Sequence, residues 1–518
     1  MAVVLAVDIG DVFFVLSCPS FSSCNSSTDP TPFAHLKDPP LIMKYFLSAR
    51  ASSVLSVAVV LSTATGLVHQ LAEPNHWNEL RDGSRKSPQK QKVIPPLVID
   101  TFQSATHNDL GFWHGSGENL TVEYSPGFVR FTPTDPDQNF HTQFDTDGCF
   151  SLWPWQNQFL HVVFEGTDKF SVSLNEHNAE CNPHRRPFPG VPDTVEAARY
   201  VLRTIVSEDG EASQSRNSTT RQDKPQSPAG NRTWKNDGPT WVPGRYSKTE
   251  LYIPLSHFHI AQNRVVSVSF HGFYTNESIT LHRVEIVPMV PSPSPENEYF
   301  RIPSKLPSGR LVFRCSRPGS FAFGIDDGQP QLAQEVMQIL DRENVRVTFF
   351  VVGAGLRDPE TNFTQVYREM LQKGHQVALH SNTHPKMEAL PTLGEIDDEI
   401  LQTMQIFKER LNVESSYFRP PYGTVGARMR QQLARHLPNP YIVNWTVDVE
   451  DWLWANTTTP EKQLEAFTNS VSRGGNLAVM HYLNPTTVQY LPQFIQLVKN
   501  AGMQIMRIDQ CLEDGPPL

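Results

Sequence analysis

Two histidines, His380 and His384 in the stretch HSNTHP, follow an apolar run (Val377, Ala378, Leu379) and precede a proline. On a helical turn, positions i and i+4 share a face, so both imidazoles reach one point, as metal ligands must. Two ligands do not hold a catalytic zinc, which usually takes three from the protein. The same spacing also arises by chance on an exposed helical turn, so the rest of the chain must supply a third ligand. Four more polar clusters follow apolar runs. Asp326-Asp327-Gly328 follows FAFGI, and Arg419-Pro420-Pro421-Tyr422-Gly423 follows Phe418. Asp448, Asp451 and Trp452 come after IVNWTV, and His481 ends NLAVM. Each has a plain structural explanation: adjacent aspartates before glycine make a turn, the proline pair stiffens a loop, Trp452 fills core, and His481 is a structural histidine. Five such clusters together, each at the end of a predicted strand, are hard to assign to chance.

The elements that must position these residues follow from hydrophobic periodicity. RVTFFVV (346–352) and YIVNWTV (441–447) are almost continuously apolar, as strands covered on both faces must be. Between such strands come amphipathic helices, with Leu332, Val336, Ile339 and Leu340 on one face and Ile396, Ile400, Phe407 and Leu411 on another. Thr459-Pro460 reads as the start of a further helix, an N-cap followed by proline at the first position. Alternating strands and helices predict a parallel sheet, open or closed into a barrel, with catalytic residues at the carboxyl ends of strands. Upstream, LTVEY, FVRFTP, FLHVVFEG, FSVSL, VVSVSFHGFY and LHRVEIV are short strand-like runs, several alternating, and predict an antiparallel sandwich. The proline-rich stretch VPSPSPENE (290–298) separates the two patterns as an extended linker.

The five clusters, in this order, resemble the polysaccharide deacetylases of the NodB type, carbohydrate esterase family four, over about 318–512. The resemblance implies a distorted (β/α) barrel. It also implies that Asp327, His380 and His384 bind Zn2+, with another divalent metal such as Co2+ as a substitute, and leave open positions for water and substrate. Residue by residue, it makes Asp326 the general base, held by Arg419, and His481 the general acid, stabilised by Asp451. The backbone N–H of Tyr422 would face the developing oxyanion, and Trp452 and Val479 would line the pocket for the acetyl methyl. The family's usual Thr-Phe before the aspartates is Gly324-Ile325 here, the interior of the histidine motif is Ser381-Asn382-Thr383, and Tyr482 follows His481 where an aspartate is common. None of these departures removes a proposed ligand, acid or base. The expected activity is therefore deacetylation of an N-acetylglucosamine polymer such as chitin. Its rivals are an O-acetyl esterase on another polysaccharide and a non-catalytic carbohydrate-binding protein.

The expected organisation is a doubtful extension over 1–42, a signal peptide over 43–66, a β-sandwich over 95–290, a linker over 291–312 and the deacetylase domain over 313–514. A polar stretch, 206–240, reads as a disordered insertion in the sandwich. The sandwich resembles a galactose-binding-type jelly roll, and its Phe112, Trp113, Trp153 and Trp155 either stack on sugars or fill the core. The signal-peptide reading rests on Lys44 and Arg50, the apolar run Val54–Leu61 and small residues near Ala64 and Gly66. A signal anchor is its rival, because 51–68 is mostly apolar. Secretion to the extracellular space or cell wall fits eight Asn-x-Ser/Thr sequons, of which Asn444, inside a strand-like run, should escape modification. The four cysteines beyond the leader, Cys149, Cys181, Cys315 and Cys511, suggest disulfides, and the resemblance implies a Cys315–Cys511 staple. Lys+Arg 44 against Asp+Glu 54 gives a net charge of −10, which argues against a nucleic-acid binder. The expected partner is an acetylated polysaccharide, with no membrane span left after signal cleavage, and oligomeric state is not encoded in any recognisable pattern.

Overall fold

The change of hydrophobic period near the proline-rich stretch is matched by a change of architecture. The structure is a computed structural model that describes residues 94–117, 119–145, 148–186, 192–202, 248–291 and 301–512. The expected extension 1–42, signal peptide 43–66 and insertion 206–240 lie outside the described residues, as do 292–300 of the linker. No helix among the described residues is long and apolar enough to cross a membrane.

The first half is built of short antiparallel strands. They are β1 (Leu97–Asp100), β2 (His114–Gly117), β3 (Val122–Ser125), β4 (Phe128–Phe131), β5 (Asn139–Gln143) and β6 (Phe159–Gly166). There follow β7 (Ser171–Glu176), β8 (Pro192–Glu196), β9 (Val201–Leu202), β10 (Thr249–Pro254), β11 (Val265–His271) and β12 (Ile279–Val287). One sheet runs β3-β4-β12-β6-β10-β9, with β1 also on β12, and a second runs β2-β5-β11-β7-β8. Strand alternation explains why the two share a core. Phe140, Val172, Leu174, Val268 and Phe270 of the second sheet join Phe131, Val162, Phe164, Leu251 and Leu281 of the first in one buried cluster. The intervening residues of the second sheet, such as Asn175, Ser267 and Ser269, face the other way and meet the second half of the chain. Cys149 and Cys181 form a disulfide, with Cα atoms 5.5 Å apart.

In the second half the strands are parallel. They are β13 (Arg310–Val312), β14 (Ser320–Asp326), β15 (Thr348–Val351), β16 (Gln376–Leu379), β17 (Tyr417–Phe418), β18 (Tyr441–Val443), β19 (Val447–Asp448), β20 (Leu477–His481) and β21 (Gln504–Ile505). The sheet order is β13-β18-β17-β16-β15-β14-β20-β19, with β21 beside the start of β14. The run YIVNWTV, expected as one strand, is broken into β18 and β19. Asn444 donates its N–H to Val312 O (2.8 Å), whereas Thr446 donates to Leu477 O (2.9 Å) on the far side of the sheet. Laid flat, β18 and β19 would be six strand spacings apart, about 29 Å. The chain from Val443 to Val447 reaches at most about 14 Å. The sheet therefore has to curl until its two ends meet at residues 444–446.

Helices cover the outside: α1 (Pro330–Arg342), α2 (Phe363–Gln372), α3 (Leu393–Leu411), α4 (Ala427–His436), α5 (Asp451–Trp454), α6 (Lys462–Ser472), α7 (Pro485–Asn500) and α8 (Ile508–Cys511). The helix expected to open at Thr459-Pro460 begins at Lys462 instead. The N–H groups of Lys462 and Gln463 bond back only three residues, to Thr459 and Pro460, so a tight turn precedes the α-helix. Along β14, Phe321, Phe323 and Ile325 pack under the helices, while Ala322 belongs to an inner cluster with Phe350, Ala378, Val443 and Leu477. Asp326 shares the inward-pointing series with Ala322 and Gly324, and that places a carboxylate inside the curl. Cys315 and Cys511 join the two ends of this half across 196 residues, with Cα atoms 5.0 Å apart. In the chain-entropy account such a loop contributes about 5 kcal/mol.

Candidate active site

Register brings the chemistry together. Asp326, the last residue of β14, pairs directly with His481 at the end of β20 and with Phe350 on β15. The chain then turns sharply, because Asp327 has φ 54° and Gly328 φ 142°. The two adjacent carboxylates thus separate through a left-handed residue, not through the strand pleat alone. The helical turn expected at 380–384 is absent as well. Ser381 and His384 both have φ near 60°, and the loop is held by Glu399, whose carboxylate accepts from the N–H groups of Asn382 and Thr383 (2.8 Å each). Ser381 Oγ accepts from the His384 N–H (2.9 Å). The loop still aims both imidazoles at one point.

That point is shared with Asp327. Its Oδ1 lies 3.7 Å from Nε2 of both His380 and His384, and the three donor atoms lie within 4.8 Å of one another. Asp327 Oδ1 is buried and has no hydrogen-bond partner among the described residues. His380 Nδ1 donates to Arg419 O (2.7 Å), which leaves the Nε2 lone pair facing Asp327. Burial depresses the His380 imidazole to about 3, so the ring stays neutral. A neutral imidazole, a second imidazole and an orphaned carboxylate oxygen fit a divalent cation.

Beside this triad, Asp326 is buried and accepts from Arg419 (Nη1–Oδ1 2.6 Å). The Arg419 guanidinium is fully buried, donates to the carbonyls of Val443 and Asn444, and lies 4.2 Å from the centroid of the Phe350 ring. Burial raises the Asp326 carboxyl above the ordinary carboxylate value, and Arg419 opposes that shift without cancelling it. Across the pocket, Asp451 Oδ1 is 2.8 Å from His481 Nδ1, and its Oδ2 accepts the His481 N–H (2.7 Å). Burial alone would depress His481, but the hydrogen bond and charge of Asp451, with Asp326 and Asp327 behind it, push it up to about 9.

These groups line one cavity of about 670 Å³, together with Tyr422, Trp452 and Val479. All ten residues singled out from the sequence therefore converge, Arg419 from directly behind Asp326. Tyr422 is exposed and has φ 60°, and its ring meets His384 edge-on at 4.7 Å. Trp452 is 70% exposed, so it is a rim residue and not core. The sequence places Asp448 in one of the clusters without a role, and burial raises its carboxyl to about 6; sequence reasoning missed the pair Asp137 and Lys386, which also line the cavity. Asp137 comes from the first half, and its ion pair with Lys386 (2.7 Å) has no signal in a linear reading. Of the four aromatics considered for sugar contact, Trp113 and Trp153 are exposed and Trp155 is half-buried against the core.

Residues 314–438 match the family described as polysaccharide deacetylase. The chain carries a polysaccharide deacetylase domain. That match contains Asp326, Asp327, His380, His384, Arg419 and Tyr422, while Asp451, Trp452, Val479 and His481 lie beyond its end. The chain is 32% identical over 190 residues to the peptidoglycan-N-acetylglucosamine deacetylase PgdA of Listeria monocytogenes, covering 36% of this chain and 38% of that one. It is 27% identical over 213 residues to a chitin deacetylase of a Pestalotiopsis species, covering 41% and 70%. This chain thus spans under two-fifths of PgdA's length. Among solved structures, the chitin deacetylase of the fungal pathogen Colletotrichum lindemuthianum aligns over 41% of this chain and 95% of its own, with 24% identity and a TM-score of 0.38.

Proposed function

We propose that the protein removes N-acetyl groups from a polymer of N-acetylglucosamine, with chitin the first candidate and peptidoglycan the second, and that it uses a divalent metal, zinc by its donor set. The observation that carries this reading is the gathering of Asp327, His380 and His384 in one cavity with a buried carboxylate, Asp326, and an Asp451-bound imidazole, His481. The names of the related deacetylases support the choice of polymer. A metal held by Asp327, His380 and His384 would supply a Lewis acid that polarises the acetyl carbonyl.

The chain's own groups complete the reaction. Asp326, a stronger base than an ordinary carboxylate, takes a proton from water as the water oxygen bonds to the acetyl carbon. Arg419 fixes the orientation of that carboxylate. The Tyr422 N–H donates to the oxyanion as it forms. His481, protonated at neutral pH, then gives its proton to the departing nitrogen, the C–N bond breaks, and acetate and a free amine result. Asp451 holds the imidazole throughout, and Val479 and Trp452 border the space for the acetyl methyl. An amide needs that proton more than an ester does, so the Asp451–His481 pair favours N- over O-deacetylation. We read the first half as a jelly-roll sandwich and the protein as secreted, on the strength of the leader-like residues 43–66, the sequons and the two disulfides. Acetate release should be measured on chitin oligomers, peptidoglycan, acetylated xylan and a small activated ester. Release from xylan with none from the two N-acetylated polymers would overturn the proposal.

A further inference from the structure

The outer face of the sheet β2-β5-β11-β7-β8 is polar by strict alternation. Asn139, His141 and Gln143 on β5 stand beside Ser267, Ser269 and His271 on β11, and these beside Ser173 and Asn175 on β7. This face does not point to open solvent. It faces Leu311, Phe313, Gly423–Val425 and Asn444 of the deacetylase half across a cleft of about 490 Å³. A volume of roughly 300–1,000 Å³ suits a bound ligand. The cleft and the catalytic cavity share Asp137 and Gly423 as walls, so the two adjoin.

The halves are locked together where the two cavities adjoin. Lys386, two residues past His384, pairs with Asp135 (2.7 Å) and Asp137 (2.7 Å), and Thr424 donates to Asp137 (2.5 Å). Deeper in the contact, Ala427 N–H donates to Ser171 Oγ (3.1 Å) and the Arg428 guanidinium lies 4.0 Å from the Tyr274 ring centroid. Such contacts brace the loops carrying His384 and Tyr422 from outside their own fold.

The cleft's chemistry is that of a neutral, hydroxyl-rich ligand. Burial depresses His141 and His271 to about 4, so the sheet face is uncharged at neutral pH, and Asp137 is already paired. Gln143 Oε1 and Asn444 Oδ1 are buried acceptors of two lining residues, and neither has a partner among the described residues. Next to the lining residue His141, outside the lining itself, stands Trp113, 42% exposed, its ring 4.6 Å from that of His141. An exposed aromatic beside hydroxyls and amides suits the apolar face and polar rim of a sugar ring.

We propose that this cleft is an extended glycan site, in which sheet β5-β11-β7 and Trp113 of the first half bind sugars of the same chain whose acetyl group lies in the catalytic cavity. The inference rests on the deacetylase reading above. The first half is then part of the substrate groove, and the protein selects long chains over short ones.

The test uses the full chain and two variants away from the catalytic groups, Trp113→Ala beside His141 and Ser269→Trp to fill the cleft. Binding of N-acetylglucosamine dimer and hexamer is measured by calorimetry, and kcat/KM by acetate release, with thermal melting as a check on folding. Both variants should lose roughly tenfold in hexamer affinity and in hexamer kcat/KM, the effect of one hydrogen bond or ring contact. Dimer turnover should be unchanged. If Ser269→Trp fails to fold, Trp113→Ala decides alone. Equal hexamer binding by wild type and Trp113→Ala, or no hexamer binding by the wild type, overturns the inference. Hexamer binding that weakens in the variants, with no acetate released from any N-acetylated glycan, would leave the cleft standing and sink the catalytic reading.

Discussion

The sharpest prediction separates the two adjacent aspartates, which are chemically identical and structurally opposed. Asp326→Asn keeps the shape of the side chain and its Oδ1, which still accepts from Arg419 Nη1 where the native contact is 2.6 Å. It removes the negative charge, and with it the base. Loss of one positioned base typically lowers the rate by ~10²–10⁴. Breaking a buried ion pair outright costs roughly 3–5 kcal/mol. Arg419 keeps the carbonyls of Val443 (3.1 Å) and Asn444 (3.4 Å) and its place on Phe350, so the destabilisation should fall at the low end. Against a typical folding free energy of about 5–15 kcal/mol the variant should stay folded. Its metal content should match wild type, since the triad is intact. Asp327→Ala acts the other way. It removes the only anionic donor and leaves His380 and His384 alone, and two imidazoles make an incomplete hydrolytic site. Metal affinity should fall by more than the roughly 10–100-fold that loss of an outer-shell partner costs. Metal content by elemental analysis and acetate release should be measured on both proteins after thermal melting shows them folded. Loss of metal from Asp326→Asn with retention by Asp327→Ala would reverse the assignment. Full activity in both would remove this cavity from consideration as the active site.

Two more predictions concern the proton donor and the leader. Activity should fall as pH rises through about 9, where His481 loses the proton it must donate, and also as pH falls far enough to protonate Asp326, above the ordinary carboxylate range. In His481→Ala the alkaline limb should vanish and amide turnover should drop far more than that of an activated ester; an unchanged pH–rate profile would exclude His481 as the acid. Amino-terminal sequencing of protein from culture medium should find a chain beginning near residues 65–70, and recovery of residues 1–42 on that material would refute secretion through a cleaved leader.

The strands and the identities of the site residues were legible because both are local. FAFGI, QVAL and NLAVM announce buried parallel strands, and the polar residue after each is fixed to a strand end by the chain itself. What the sequence hid is conformational or comes from the other half. Nothing in YIVNWTV marks the change of partners at Asn444–Thr446, because its apolar pattern is that of an unbroken strand. The curl that needs this break follows only from the sheet order. The positive φ of Asp327, Ser381, His384 and Tyr422 was equally invisible, since none is glycine and each is held by tertiary contacts. Buried Asn444 fits the expectation that its sequon is unused, because its Nδ2 already donates to Gly423 O (3.0 Å).

The departures from the family's usual residues make sense as compensated pairs. A Cβ at Gly324 would stand 2.4 Å from both terminal nitrogens of Arg419, so the guanidinium that holds Asp326 occupies the volume that a side chain at 324 would need. Tyr482 fills space in the same reciprocal way. A Cβ at Gly328 would meet its ring at 1.9 Å, and Gly328 must also adopt φ 142°, so glycine there serves both the turn after Asp327 and the close approach of the tyrosine. The Tyr482 hydroxyl lies 2.7 Å from that of Tyr367, which donates to the Asp327 carbonyl (3.0 Å), so Tyr482 supplies the proton in the first of these bonds. A residue that replaces a common aspartate thus supports the backbone of a metal-ligand candidate through a two-tyrosine chain. Buried uncharged hydroxyls with fixed partners do this without adding another carboxylate near Asp326 and Asp327, whose mutual repulsion would grow with it. The departures at Gly324 and Tyr482 therefore leave the catalytic geometry intact and change what packs behind it.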